Sequence, residues 1–131
     1  MKCEVYTDGA SKGNPGRAAW AYLILSDGKV LGSASGSIGR ATNNVAEYTA
    51  VLKALERAKR LGCRRVVVYS DSQLVVRQLR GEYAVRKEHL KELHSAVLRL
   101  AGSFGSVTFL HTPRSNRYVE VCDRMCSQAL G

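Results

Sequence analysis

The chain has 131 residues, 45% of them apolar and 24% charged, an ordinary composition for one compact domain that buries its own core. Lys and Arg number 20 against 11 acidic residues, and the resulting charge of +9 favours a polyanionic partner while fitting a solubilising surface equally well. No stretch nears the roughly 18 uncharged apolar residues of a membrane helix. The opening MKCEVYTDGA carries no signal core and no basic amphipathic anchor stands out, so a cytoplasmic protein is expected.

In chain order, KCEVYTDG alternates in the manner of a strand, and AAWAYLILS continues as a longer apolar run. KVLGSASGSI follows a turn at Ser26-Asp27-Gly28, so these three strands form an antiparallel meander. From about Asn44, the residues Val45, Tyr48, Val51, Leu52, Leu55 and Ala58 recur at helical spacing until Gly62. RRVVVYS reads as a buried strand and SQLVVRQLR as a short helix ending at Gly81. Leu90, Leu93, Val97 and Leu100 mark another helix, SVTFLH a strand, and VEVCDRMCSQAL a closing helix. The order predicts an α/β fold with a mixed sheet, parallel between the fourth and fifth strands. There is no repeat, linker or low-complexity run, so residues 1–131 are expected to form one domain.

The cysteines, Cys3, Cys63, Cys122 and Cys126, lack the paired C-x-x-C spacing of a zinc site. They are expected to be small buried apolar residues, free thiols suited to a reducing cytoplasm.

Several carboxylates stand at the edges of buried elements. Asp8 ends an apolar strand, Glu47 lies in the first turn of a helix near its buried stripe, Asp71 follows Val66-Val67-Val68-Tyr69-Ser70, and Asp123 falls near the start of the last helix beside Cys122. Each has an ordinary explanation: a turn at Asp8, a capping box with Asn44 as cap and Glu47 reaching back, a cap at Asp71, and a helix-dipole charge at Asp123. Together they suggest more. If the first and fourth strands are neighbours, Asp8 and Asp71 lie side by side and repel. Divalent cations with oxygen preference relieve that repulsion, and two of them about 4 Å apart suit phosphodiester hydrolysis without a Ser, Cys or His nucleophile.

Three segments also carry a family resemblance over essentially the whole chain: Tyr6-Thr7-Asp8-Gly9-Ala10-Ser11-Lys12-Gly13-Asn14-Pro15-Gly16, Thr42-Asn43-Asn44-Val45-Ala46-Glu47-Tyr48 and Tyr69-Ser70-Asp71-Ser72-Gln73. In this order and spacing the sequence resembles ribonuclease H of type 1, particularly the short bacterial and archaeal forms. The resemblance implies a ribonuclease H-like fold, a five-stranded mixed sheet (three antiparallel strands, then two parallel) flanked by helices. It implies a metal-dependent endonuclease that hydrolyses the RNA strand of RNA/DNA hybrids and leaves 5′-phosphate and 3′-hydroxyl ends. Asp8, Glu47, Asp71 and Asp123 match the family's catalytic, metal-binding carboxylates, with two Mg²⁺ per site in the presence of substrate, or Mn²⁺.

Asn14, Asn43, Asn44 and Gln73 match minor-groove contacts, and their amides suit a 2′-hydroxyl that both donates and accepts. Arg40 and Thr42 match a phosphate seat. Glu120-Val121-Cys122-Asp123 fits one form of the last motif, whereas Val119 replaces a common asparagine and the loop at 113–118 is slightly long. That loop lacks the histidine of some larger members, which leaves Arg114 or Arg117 to assist product release. His111 is expected to pack or hydrogen-bond near a strand end, and Trp20 to lie in the core. The basic run Arg77, Arg80, Arg86, Lys87 and Lys91 fits a solvated helix face as well as a grip on the hybrid.

Two other readings remain open at this level. One is a binding module on the same fold, which a missing carboxylate would signal; none is missing. The other is a resolvase or transposase core, which the asparagines argue against. Double-stranded RNA stays open as a second substrate. The partner implied is the hybrid, with no membrane and no obligate protein, and a monomer.

Overall fold

The computed structural model describes residues 1–131. Three strands, β1 (Lys2–Gly13), β2 (Gly16–Ser26) and β3 (Lys29–Ala41), form the antiparallel meander. Helix α1 (Asn43–Arg60) leads to β4 (Arg65–Ser70), then α2 (Gln73–Leu79), α3 (Glu88–Ala101), β5 (Ser106–His111) and α4 (Arg117–Leu130). The sheet order is β3-β2-β1-β4-β5, with β4 parallel to both β1 and β5. The predicted α/β fold with three antiparallel and two parallel strands is therefore the one observed.

The helices cover the sheet from both sides. On one side Tyr48, Val51 and Leu55 of α1 and Val97 of α3 are packed in one cluster with Val5, Ile24, Val66 and Val68 of the strands. On the other, Val119, Cys122, Cys126 and Leu130 of α4 meet Tyr6, Ala19, Ala21, Leu23 and Leu25. Alternation along β1 explains the split: Cys3 and Val5 face α1, and Tyr6 faces α4. No helix is long and apolar enough to cross a membrane.

Helix starts differ from expectation in an instructive way. The cap of α1 is Thr42, whose hydroxyl accepts the Val45 N–H at 3.2 Å, and not Asn44, which already lies in the helix. The cap of α2 is Ser72, accepting from the Val75 N–H at 3.3 Å, and not Asp71. In both cases a hydroxyl takes the capping role and leaves the neighbouring amide or carboxylate uncommitted to the helix end. Helix α4 starts earlier than its apolar pattern suggests, because Asn116 accepts the N–H groups of Tyr118 and Val119. Asp123 is consequently in the second turn, beyond the strongest part of the helix dipole.

The cysteine expectation is corrected for one pair. Cys3 and Cys63 form a disulfide, with Cα atoms 5.8 Å apart across a sequence separation of 60. Parallel pairing of β1 with β4, beginning at Lys2 opposite Arg65, brings the two regions together, a long-range contact that spacing alone does not reveal. Four free thiols, the ground for expecting a reducing compartment, are therefore not present. Cys122 and Cys126 are free and buried, as expected.

Two smaller corrections follow. Trp20 is only partly buried, stacked on Tyr22 with ring centroids 5.8 Å apart and with Lys53 over its face. His111 is exposed at the end of β5, opposite Ser70, and lines a cleft with Gln73, Arg77 and Arg80.

Candidate active site

Strands β1 and β4 stay in register from Lys2 opposite Arg65 to Tyr6 opposite Tyr69, and are paired no further. Beyond that point they part, opening a crevice at the carboxyl ends of two parallel strands, where open α/β sheets commonly bind ligands. Asp8 enters the crevice from β1, Asp71 from the end of β4, and Glu47 from the first turns of α1. One carboxylate oxygen from each lies within 4.8 Å of the others. Asp8 and Glu47 are buried, at 5% and 7% exposure.

Glu47 is held from two sides. Its Oε1 accepts the Gly9 N–H at 2.6 Å, and its Oε2 accepts the Ser70 hydroxyl at 3.2 Å. Ser70 Oγ in turn accepts the Ser72 N–H at 3.1 Å. Gly9 permits the approach: a Cβ there would stand 2.3 Å from the Ala46 carbonyl carbon and 2.4 Å from the Glu47 nitrogen. Below the carboxylates, the thiols of Cys122 and Cys126 reach the carbonyl oxygens of Tyr6 and Asp8, at 3.6 and 3.5 Å. These contacts dock α4 against β1.

The electrostatics follow from crowding. Burial first, then the charges of Asp71 and Asp123, push the Asp8 carboxyl up to about 7. Burial, with Asp8 and Asp71 nearby, raises Glu47 well above the usual carboxylate range against the opposing Gly9 N–H. Asp71 is raised by burial, while Arg114 and His111 work the other way. Arg114 Nε stands 3.9 Å from Asp71 Oδ2, on a side chain that is 82% exposed, so solvent screens much of its pull. Asp123 is half-buried and lies outside the group of three, yet close enough to raise both Asp8 and Asp71.

Three or four acceptor-only carboxylates with one exposed arginine are undercompensated. They must hold protons or hard cations. The donor set is all oxygen, partly buried and open to a cleft of about 330 Å³, and it fits a divalent ion such as Mg²⁺ or Mn²⁺.

The remaining expected residues lie around this cleft and its neighbours. Asn14, Asn43 and Ser11 knit the β1–β2 loop to α1: Asn14 Oδ1 accepts the Asn43 N–H at 3.0 Å, and Asn43 Oδ1 accepts the Ser11 N–H at 3.0 Å and its hydroxyl at 2.8 Å. Asn44 lines both the carboxylate cleft and a neighbouring one of about 490 Å³ with Leu74, Tyr83, Arg86 and Lys87. Gln73 lines a third cleft, beside Arg77 and His111. Arg40 is exposed at the end of β3, opposite Arg17. Arg114 lines the carboxylate cleft, whereas Arg117 lies over the Tyr118 ring at 4.9 Å. Within the basic run, Arg77 and Arg80 pair with Glu82 and Lys91 with Glu88. Arg86 and Lys87 remain free to face the cleft next to Asn44.

Sequence reasoning missed Ser70 and Gly9 as the groups that orient Glu47. The signal for Ser70 was its position: a small polar residue closing a buried apolar strand needs a partner.

This sheet, with its carboxylates at the β1–β4 divergence, defines a ribonuclease H-like fold. Residues 6–126 match the family described as reverse transcriptase-like. Ribonuclease HI of Halobacterium salinarum is 37% identical over 130 residues, covering 98% of this chain and 64% of that protein, so the chain spans under two thirds of that relative's length. The crystal structure of RNase H1 from the same archaeon superposes with a TM-score of 0.95 at 37% identity, covering 99% of this chain and 98% of that one. LC11-RNase H1, solved in complex with an RNA/DNA hybrid, superposes with a TM-score of 0.87 at 35% identity over 98% of this chain and 99% of that one. The chain belongs to the ribonuclease H type 1 family.

Proposed function

We propose that the protein is an endonuclease that hydrolyses the RNA strand of RNA/DNA hybrids with divalent cations, leaving 5′-phosphate and 3′-hydroxyl ends. The observation that carries this reading is the convergence of Asp8, Glu47 and Asp71 within 4.8 Å in the β1–β4 crevice. Its likeness to an enzyme solved with a hybrid supports the substrate.

Asp8, Glu47, Asp71 and Asp123 would hold two ions with substrate bound, Mg²⁺ first and Mn²⁺ as the alternative. When bound, the ions supply Lewis-acid activation of water and charge stabilisation at the leaving oxygen. Gly9 and Ser70 keep Glu47 in one orientation, so the carboxylates need little reorganisation. Arg114 offsets the charge of Asp71 and stands ready to draw the product phosphate outward.

The substrate contacts follow from what each group has left to give. Asn14 and Asn43 use their side-chain carbonyls internally, leaving their NH₂ groups to donate to 2′-hydroxyl or base acceptors. Thr42 accepts the Val45 N–H and keeps its own O–H for a phosphate, with Arg40 as the charged partner. Asn44 and Gln73 complete the set on either side of α2. The working unit is a monomer, residues 1–131 acting as one domain. Hybrids form where nucleic acid is copied, which keeps the cytoplasm as the proposed compartment.

The test uses a hybrid labelled on the RNA strand, with Mg²⁺, Mn²⁺ or chelator, beside single-stranded RNA, duplex RNA and duplex DNA. Metal-dependent cutting of the hybrid RNA, lost in Asp8→Asn, is expected. Tight binding without cutting in either metal would replace the enzyme by a binding module.

A further inference from the structure

The amino ends of the parallel strands lie at the pole opposite the carboxylates. Five of the nine residues Arg57–Arg65 are basic, and no acid occurs between Arg57 and Ser70. Arg57, Lys59 and Arg60 end α1, where the helix dipole favours cations. That explanation does not reach Lys2, Arg64 or Arg65, which lie outside the helix.

The pole is rigid. Arg64 and Arg65 donate their N–H groups to the Met1 carbonyl at 2.9 and 3.2 Å, and Lys2 pairs with Arg65 across the β1–β4 ladder. Ser106 N–H donates to the Arg64 carbonyl at 3.1 Å, and the Cys3–Cys63 disulfide pins the same loop. Lys59 is occupied, donating to the Ser103 carbonyl at 2.6 Å and lying over Phe104. Lys2, Arg60, Arg64 and Arg65 are exposed and form no ion pair, whereas Arg77, Arg80 and Lys91 on the α2–α3 side all do. Like charges set on a fixed frame, none of them in an ion pair although Glu4, Asp27 and Glu56 are near in sequence, give this pole a positive potential that favours a polyanion.

We propose that Lys2, Arg60, Arg64 and Arg65 form a second nucleic-acid contact, which seats backbone phosphates of a duplex other than the one in the cleft. Three of the four are arginines, whose forked donors suit phosphate oxygens. Lys2 and Asp8 are separated by six residues of extended strand, about 20 Å, more than the screening length at physiological salt. The pole therefore does not act by steering a duplex into the cleft. It holds a neighbouring duplex, or a distant part of the same one, and raises the local concentration of substrate. A membrane surface is less suited, since Met1 and Val30 lie outside the helices and Leu98 is the one large apolar side chain exposed on α3, too little for an apolar helix face.

The inference rests on nucleic acid being the substrate, and the experiment separates the two. Protein saturated with an unlabelled short hybrid is titrated against a fluorescent 20-bp DNA duplex, and hybrid cleavage is followed in parallel. Wild-type protein is expected to bind the second duplex, with affinity falling about 100-fold between 50 and 200 mM salt if four phosphates are contacted. The variant Lys2→Gln/Arg60→Gln/Arg64→Gln/Arg65→Gln is expected to lose at least tenfold in that binding while melting normally and cutting the short hybrid at the wild-type rate. A double variant, Arg64→Gln/Arg65→Gln, covers the case in which the fourfold change does not fold. No second binding, or equal binding by the variants, overturns the proposal. Stronger, variant-sensitive binding to phosphatidylserine vesicles than to DNA overturns it in favour of a membrane. Failure to cut any hybrid, with second-duplex binding intact, would count against the proposed function alone.

Discussion

Gly9 and Glu47, 38 residues apart, are joined by a 2.6 Å hydrogen bond from the glycine N–H to the carboxylate, and the same glycine leaves no room for a side chain against the α1 backbone. One residue thus sets both how closely β1 approaches α1 and where Glu47 points. Gly9→Ala is expected to destabilise the fold by about 2–3 kcal/mol through overpacking, and to cut hybrid cleavage by more than tenfold in protein that remains folded. Thermal melts and single-turnover rates check both halves.

Ser70 is the second support of Glu47. Ser70→Ala strands one Glu47 oxygen and the Ser72 N–H together, so a loss of about 1–2 kcal/mol is expected. Turnover should fall several-fold with KM nearly unchanged, because the substrate contacts remain. A change confined to KM would count against an orienting role.

The raised Asp8 carboxyl links stability to pH. In the folded, metal-free protein it loses its proton near 7, and in the unfolded chain near the ordinary 3.8. The folded state binds more protons between those values, so its stability is greatest below about 4 and declines as pH rises through 7. Asp8→Asn should flatten that decline and raise stability at pH 7.5 in chelator by on the order of 2 kcal/mol, while abolishing cleavage. Melting curves against pH, with and without Mg²⁺, measure this; an equal decline in the variant would reject it.

Arg114 and Arg117 make opposite predictions despite their closeness in sequence. Arg114 stands 3.9 Å from Asp71, whereas Arg117 lies over Tyr118. Multiple-turnover cleavage is expected to slow in Arg114→Ala and to stay at the wild-type rate in Arg117→Ala. Unchanged turnover in both removes product release as the role of this loop.

The Cys3–Cys63 bond closes a long loop at the pole away from the carboxylates. In the loop-entropy account its removal costs about 4 kcal/mol. Cys3→Ala/Cys63→Ala should melt well below the wild type yet cut hybrid normally at 25 °C. Loss of activity in folded variant protein would mean that this pole is coupled to the crevice.

Much was legible from the chain itself. Period-two and period-3.6 apolar patterns are local properties, and they marked all five strands and the four helices to within a few residues. Asp8, Glu47 and Asp71 stood out because a carboxylate at the edge of an apolar element is costly without a purpose. Their motifs, in order and spacing, carried the family. Caps were less legible, since Thr42 and Asn44, or Asp71 and Ser72, compete over one or two positions and only backbone geometry decides between them.

The tertiary structure alone decided the rest, because each remaining feature depends on residues brought together from far along the chain. The disulfide needed the β1–β4 register. The orientation of Glu47 needed Gly9 and Ser70 from two different strands. The separation of Arg114 from Arg117 needed the start of α4. Charge composition showed an excess of cations, but only folding could divide them between arginines already paired at Glu82 and a pole of unpaired ones 20 Å or so from the carboxylates. Local pattern determines which elements form; distance across the fold determines which side chains meet.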